Sequence, residues 1–204
     1  YLILILTPYT NLMSFVHLHN HSHYSLLDGL SKVDEMVDKA KKLGMPAIAL
    51  TDHGNMYGAI EFYKLCKKKD IKPIIGVEAY IANRSRFDKQ PGVDNERYHL
   101  ILLAKNNEGY QNLIKLVTAS NLEGYYYKPR MDKELLRKYS RGLVCLSGCL
   151  GGEFSKAIWN LDYDKAEKIA LEYQEIFGKE NYFIEIQSHP KLERFNEITE
   201  WQIS

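Results

Sequence analysis

A chain of 204 residues holds one domain of ordinary size, or one domain with trailing pieces. A hydrophobic fraction of 45% and a charged fraction of 26% exclude a disordered tail, a collagen-like fibre and a membrane bundle. With 27 Lys and Arg against 26 Asp and Glu, the net charge of +1 argues against a strongly basic nucleic-acid clamp, and three cysteines make no disulfide framework and suit a reducing cytoplasm.

The opening run from Leu2 to Leu6 is apolar but far shorter than the ~20 residues a spanning helix needs. It has no basic stretch before it and no small-residue cleavage site after it, so no signal peptide is expected. Met13 stands immediately before a strand-like stretch. Residues 1–12 are therefore expected to be an upstream extension and 13–204 the domain, with an extra edge strand disfavoured by Pro8. Residues 15–19 read as a strand. Ser31 reads as a helix N-cap with Asp34 as its capping-box partner, and Val33, Met36, Val37, Ala40 and Leu43 follow at helical spacing up to Gly44 and Pro46. A buried strand is expected at 47–51, a helix at 57–69, and strands at 73–81 and 99–104. Between the last two, the polar stretch 84–96, with Pro91 and Gly92, is expected to be a flexible loop. Tyr110, Leu113, Ile114 and Val117 mark a helix, and 132–139 a shorter one. Then come a strand at 143–146, a helix at 162–177 and a strand at 182–186. The chain looks cut at its end, because no Gly, Pro or loop closes the last helical pattern. Strands alternating with helices imply parallel pairing through right-handed crossovers, and about six such strands favour a (β/α) barrel over a small open sheet.

Residues able to hold a metal ion recur at matching points of these units. His19 and His21 end the first strand, Asp52 and His53 the second, Glu78 lies late in the third, His99 opens the fourth, and Cys149 follows the fifth. The C-terminal ends of barrel strands share one face, where active sites sit. Residues i and i+2 of a strand point the same way, so His19 and His21 can grip one ion. Asp28 follows in a loop whose Gly29 permits a tight return. Each residue alone has an ordinary explanation: a hydrogen-bonded strand His, a turn Asp, a small buried Cys. Glu78 is the hardest to explain so, because a buried carboxylate is expensive without a partner. Together they would require several separate accidents. His17 and His23 read as surface or supporting groups, His189 as exposed, Cys66 and Cys145 as packing, and Lys67 to Lys69 as a solvated helix end.

The stretch F-V-H-L-H-N-H-S-H-Y-S-L-L-D-G resembles the first motif of the PHP (polymerase and histidinol phosphatase) superfamily. A-L-T-D-H-G-N-M-Y-G-A, I-K-P-I-I-G-V-E-A-Y, Y-H-L-I-L-L-A-K-N, Y-Y-K-P-R and L-S-G-C-L-G-G resemble the branch carried by bacterial replicative DNA polymerases. The resemblance implies a distorted seven-stranded (β/α)7 TIM-like barrel, here truncated before its last strand. It implies up to three divalent ions on His19, His21, Asp28, His53, Glu78, His99 and Cys149. An Asp-x-His pair that the family uses beyond Gln187 is absent. Mixed imidazole, carboxylate and thiol ligation suits Zn, Mn or Fe better than Mg. The implied activity is metal-dependent phosphoester hydrolysis, as a 3′–5′ exonuclease, within a parent that polymerises DNA. Asp52 is expected to orient His53, and Arg130 to contact phosphate. The implied partners are DNA through the parent, a proofreading exonuclease and a sliding clamp, in the bacterial cytoplasm and away from membranes. The competing readings are a non-catalytic, metal-stabilised scaffold that docks the proofreading subunit, and a free-standing histidinol-phosphate phosphatase.

Overall fold

The computed structural model describes residues 15–26 and 28–187. The expectations for residues 1–12, for His189 and for the end of the chain lie outside that range. The described elements run α1 (Val33–Lys42), β1 (Ala47–Leu50), α2 (Ala59–Lys68), β2 (Lys72–Ala82), β3 (Arg97–Ala104), α3 (Asn107–Leu122), β4 (Tyr125–Tyr126), β5 (Lys128–Met131), α4 (Lys133–Tyr139), β6 (Leu143–Leu146), α5 (Glu153–Trp159), α6 (Tyr163–Phe177) and β7 (Tyr182–Phe183). No helix among the described residues is long and apolar enough to cross a membrane.

The sheet orders its strands β4-β5-β2-β3-β6-β7, with β1 beside β2. The 11-residue β2 is the spine. It pairs in parallel with β1 over Lys72 to Ile75, in parallel with β5 at Tyr80 and Ile81, and antiparallel with β3 over Gly76 to Ala82. Side-chain alternation along these strands separates two faces. Val77, Ala79, Ile81, Leu100, Leu102, Leu143 and Cys145 face outward and pack under α3 to α6 with Leu113, Leu116, Leu136, Ile158, Ile169 and Tyr173. Ala49, Ile101, Leu103 and Leu146 form a smaller inner cluster. Glu78 shares its parity on β2 with Ile74 and Gly76, so its carboxylate lies on that inner side. The sheet curls without closing: the architecture is the expected α/β barrel type in a distorted, open form.

Four expectations need correction. The strands are not all parallel: β3 runs antiparallel to both β2 and β6. The reason is that no helix lies between β2 and β3, so the chain returns without a crossover. Residues 15–20 make no full ladder. They lie as a strap along β1, with Ala49 N–H bonding His17 O at 2.9 Å and Thr51 N–H bonding Asn20 O at 2.9 Å. Ser31 does not cap α1, because Lys32 holds that position without a side-chain bond. Instead Ser31 O accepts His23 N–H at 2.8 Å and closes the 23–31 loop. The β7 ladder ends at Phe183 rather than at residue 186. The short β4–β5 pair and α5 are additions to the expected elements.

Stretch 84–96 is not a loose loop, and Arg130 explains why. Arg130 is 1% exposed. Its guanidinium donates to the carbonyls of Gly124 (3.1 Å), Asp94 (3.1 Å), Arg86 (3.2 Å) and Asp88 (2.7 Å). Arg84 adds a two-pronged bond to the buried Asp94 carboxylate, at 2.9 and 2.7 Å. With its N–H groups spent on backbone, Arg130 cannot hold phosphate, which overturns the role expected for it. Arg130→Met should lower stability by about 3 kcal/mol or more, because it strands several buried carbonyls. It should also open residues 84–96 to limited proteolysis.

A surface network ties α4 to α6. Lys133 Nζ bonds Glu172 at 2.7 Å and Arg137 bonds the same carboxylate at 3.0 Å. Partial burial pushes the Glu172 carboxyl up, but the hydrogen bonds from Lys133 and Arg137 outweigh it and hold the group below its ordinary value. A depressed folded-state pKa stabilises above the unfolded value and is lost as pH falls through the folded one. The stability gap between the wild type and Glu172→Gln should therefore be present at neutral pH and close in acid. A third of the side chain is exposed, so the gap should stay below about 1 kcal/mol in denaturant titrations.

Candidate metal centre

Glu78 is 1% exposed and is ringed by imidazoles from three separate parts of the chain. The strap along β1 delivers His19 and His21 together, as their i, i+2 spacing requires. Their Nε2 atoms lie 3.4 and 3.2 Å from Glu78 Oε1 and Oε2. The line of β1 continues past its ladder to an isolated bridge that sets His53 against Glu78, with Nδ1 2.5 Å from Oε2. His99 arrives because β3 is inverted. As the third residue of an antiparallel strand it pairs with Tyr80, and its Nδ1 is 2.8 Å from Glu78 Oε1. In a parallel strand that position would lie at the opposite end of the sheet.

The loop after β6 brings Cys149 Sγ to 3.8 Å from Glu78 Oε1 and 3.6 Å from His99 Nδ1. Asp28 reaches the cluster through His53, with Oδ2 3.0 Å from Nε2. Gly29 makes this return possible: a Cβ there would sit 1.9 Å from Ser22 O. Gly54, next to His53, has φ +63, and a Cβ would meet Pro129 at 2.8 Å and Tyr80 at 3.1 Å. Six of the seven residues expected as ligands thus lie around the seventh, Glu78, five by direct approach and Asp28 through His53.

One contributor went unpredicted. Glu185, just past β7, lies 2.7 Å from His19 Nδ1 and accepts from Gln187 Nε2 at 2.8 Å. The signal was available, because a Glu inside the apolar stretch F-I-E-I poses the same burial problem as Glu78. Asp52 does not orient His53. Its buried carboxylate accepts Ser22 N–H at 2.7 Å, Ser22 Oγ–H at 2.9 Å and Ser25 Oγ–H at 2.8 Å.

Ser25 Oγ in turn lies 2.9 Å from His21 Nδ1 and accepts His53 N–H at 3.1 Å. The single Ser25 proton goes to Asp52, so Ser25 accepts from His21 Nδ1–H and leaves His21 Nε2 bare. His19 Nδ1 faces the Glu185 carboxylate and His53 Nε2 faces Asp28, so both rings have an outer acceptor available when their other nitrogen is engaged. Three imidazoles thus each have an outer acceptor for one ring nitrogen and point the other toward Glu78, the arrangement that would suit metal-ligating histidines.

Imidazole nitrogens crowded on one carboxylate call for protons or a metal cation among them. His19 Nε2 and His21 Nε2 are only 3.1 Å apart. His53 Nδ1, Glu78 Oε2 and Glu185 Oε2 are buried without a hydrogen bond. Protons answer the demand in part. Burial lowers the His19 pKa, but Glu185 and Glu78 outweigh it and push it up to about 9. For Glu78 burial acts upward, yet the four imidazoles drive its carboxyl far below the usual range. Burial, with Glu78 nearby, pushes the Cys149 thiol up to about 11, so it becomes a thiolate only when a cation draws off its proton. Two ligand triads, His19/His21/Glu78 and His53/Glu78/His99, place their donor atoms within 4.8 Å of one another and share Glu78. This donor set fits divalent metal ions. Asp52→Asn should loosen the Ser22–Ser25 turn and lower metal affinity by about 10–100-fold, the usual cost of losing a group that orients a ligand. Equilibrium dialysis against a metal buffer measures it.

Comparison with known proteins agrees with this geometry. Residues 17–189 match the PHP domain family. The chain is 52% identical over 176 residues to the DNA polymerase III subunit alpha of Borreliella burgdorferi, covering 86% of this chain and 15% of that protein. It is 52% identical over 178 residues to that of Treponema pallidum (87% and 15%) and 46% identical over 192 residues to that of Thermus aquaticus (91% and 16%). It therefore spans about a seventh of the length of these relatives. A Bifidobacterium adolescentis structure provisionally named a metal-dependent phosphoesterase superposes with a TM-score of 0.53 at 11% identity, over 94% of this chain and 85% of that one. That likeness concerns the fold. With its motifs and its sheet in agreement over most of its length, the chain belongs to the PHP domain family.

Proposed function

We propose that this chain is a metal-dependent phosphoesterase module that trims DNA strands in the 3′–5′ direction, carried by a bacterial replicative DNA-directed DNA polymerase. The observation that supports it is the shared, buried Glu78 carboxylate, with nitrogens of four imidazoles converging on its two oxygens. The similarity to the relatives named above supports a polymerase parent, whose partners would be DNA, a proofreading exonuclease and a sliding clamp. The donor set suits Zn(II), Mn(II) or Fe(II) over Mg(II), with up to three ions distributed over His19, His21, Asp28, His53, Glu78, His99 and Cys149.

Such ions, when bound, supply a nucleophile at neutral pH and neutralise charge on the phosphoryl group. The chain's own residues do the rest. Glu78 spans both triads and fixes their separation. Ser25 and Glu185 hold the rings of His21 and His19 in the ligating tautomer. Asp28, exposed and bonded to His53, is placed to pass a proton between the cluster and bulk water.

The test is to strip the 204-residue chain with a chelator, reload it with Mn(II) or Zn(II), and follow nucleotide release from the 3′ end of a labelled strand. Hydrolysis should appear only on reloading. Glu78→Gln should reduce it by more than about a hundredfold, beyond the range of a merely supporting group. Reloading should also raise the thermal midpoint, because a ligand at a thousand times its Kd adds about 4 kcal/mol of stability. A chain that binds metal and gains stability yet releases no nucleotide would sink the catalytic reading and leave the scaffold role.

A further inference from the structure

The imidazole cluster is not enclosed. His21 and His99 side chains keep 25% and 26% of their exposure, and Tyr80 forms the neighbouring wall. The Tyr80 ring stacks on His53 (centroids 5.9 Å apart, planes at 16°) and stands edge-on to His99 at 5.3 Å. It is 5% exposed, so its faces are not free for a base. Two cations flank it. Arg97, at the start of β3, and Lys128, at the start of β5, each place their charge 5.6 Å from the ring centroid.

Neither cation is neutralised. Among the described residues no carboxylate pairs with Arg97 or Lys128, whereas Arg84, Arg86 and Lys133 all have carboxylate partners. Arg97 gives one bond to Asn95 O at 2.9 Å, and its Nε is buried with no partner. Two partly exposed cations without carboxylate partners, both held beside one ring next to the cluster, leave a positive edge on which an anion can sit.

The residue before Lys128 adds an independent sign. Tyr127 occupies the tip between β4 and β5 with φ +58, a conformation that a bulky residue adopts only at a cost; the residue is 64% exposed, with its ring edge-on to Tyr126 at 4.6 Å. Glycine would suit that turn better. An exposed aromatic kept at a strained tip beside a free lysine is the pairing used to hold single strands, with a cation for the phosphate and a ring for the base.

We propose that Arg97, Lys128 and Tyr127 form a strand-holding rim that takes the nucleotide adjoining the one presented to Glu78, and so selects an oligonucleotide end over an isolated phosphate ester. It deepens the phosphoesterase reading and rests on it. Because the grip is on phosphate and on a ring face, it is indifferent to base sequence.

The test reads binding, so it is separate from the hydrolysis assay. A fluorescent oligothymidylate is titrated with the 204-residue chain in Mn(II), at low and at moderate salt, by anisotropy. Arg97→Gln with Lys128→Gln should weaken binding at least about tenfold and flatten the salt slope by about 1.4, which is about 0.7 for each phosphate released. Arg97→Lys should keep most of the affinity. Tyr127→Gly should weaken binding about tenfold while leaving the thermal midpoint unchanged or higher, since it relieves the strained turn. The control Lys67→Gln with Lys68→Gln, at the end of α2, should bind as wild type. Metal content, measured on every variant, reports any damage to the cluster itself. The rim is refuted if wild type fails to bind, if the Arg97/Lys128 variant binds as wild type with normal metal content, or if the Lys67/Lys68 control loses as much. A strand held by the rim but never cut would refute the phosphoesterase reading and leave the rim standing.

Discussion

A single carboxylate with almost no access to water organises this protein. Glu78 sits on the central strand, and leaving it charged there without counter-ions would cost several kcal/mol. The fold supplies imidazoles from the strap, from the end of the β1 line and from the inverted β3. Three of the four imidazoles are held in turn by a further group, His19 by Glu185, His21 by Ser25 and His53 by Asp28. The demand of one buried group thus propagates outward through two layers, and the second layer is as specific as the first.

The layering explains what could be read from sequence. A carboxylate in an apolar run, an H-x-H pair in an extended stretch and a Gly after S-L-L-D are local patterns with local causes, and the structure gathers those residues at one place. Element types were legible for the same reason, since the periodicities of α1, α3, α6, β2 and β6 report burial directly. Strand direction was not legible. Periodicity is blind to polarity, and the clue lay in a connection of 14 residues with no helical pattern, which read as flexibility rather than as a return without a crossover. Asp52 and Arg130 were noticed for their charge, but charge does not reveal whether a group faces solvent, a ring or a row of carbonyls. Both turned out to hold backbone or hydroxyls in place. Glu185 was less legible than Glu78, because it lies past the two-residue ladder of β7, where no periodicity marks which way its side chain faces.

The inverted β3 has a further effect on electrostatics. It places His99 and Arg97 at the same end of the sheet as the ends of β1 and β2, so one strand supplies both an imidazole to the cluster and a cation to its edge. The sheet pairing of β5 with β2 at Tyr80 sets Lys128 on the other side of the same ring. This face therefore sets carboxylates and imidazoles at the buried centre and cations at the margin, although the whole chain is almost neutral.

The connection from β2 to β3 takes its shape from outside itself. Arg130 grips main-chain oxygens at Arg86, Asp88 and Asp94, and every amino acid carries such an oxygen. Most side chains in that stretch are thereby released from the task of defining its path. Substitutions can accumulate at its other positions at little expense to its conformation, provided position 130 stays arginine, the Arg84–Asp94 clasp survives and Arg86 keeps its buried pairing with Asp132. A segment that looks variable and unstructured on paper can thus be as immobile as a strand, with its specification written some forty residues downstream.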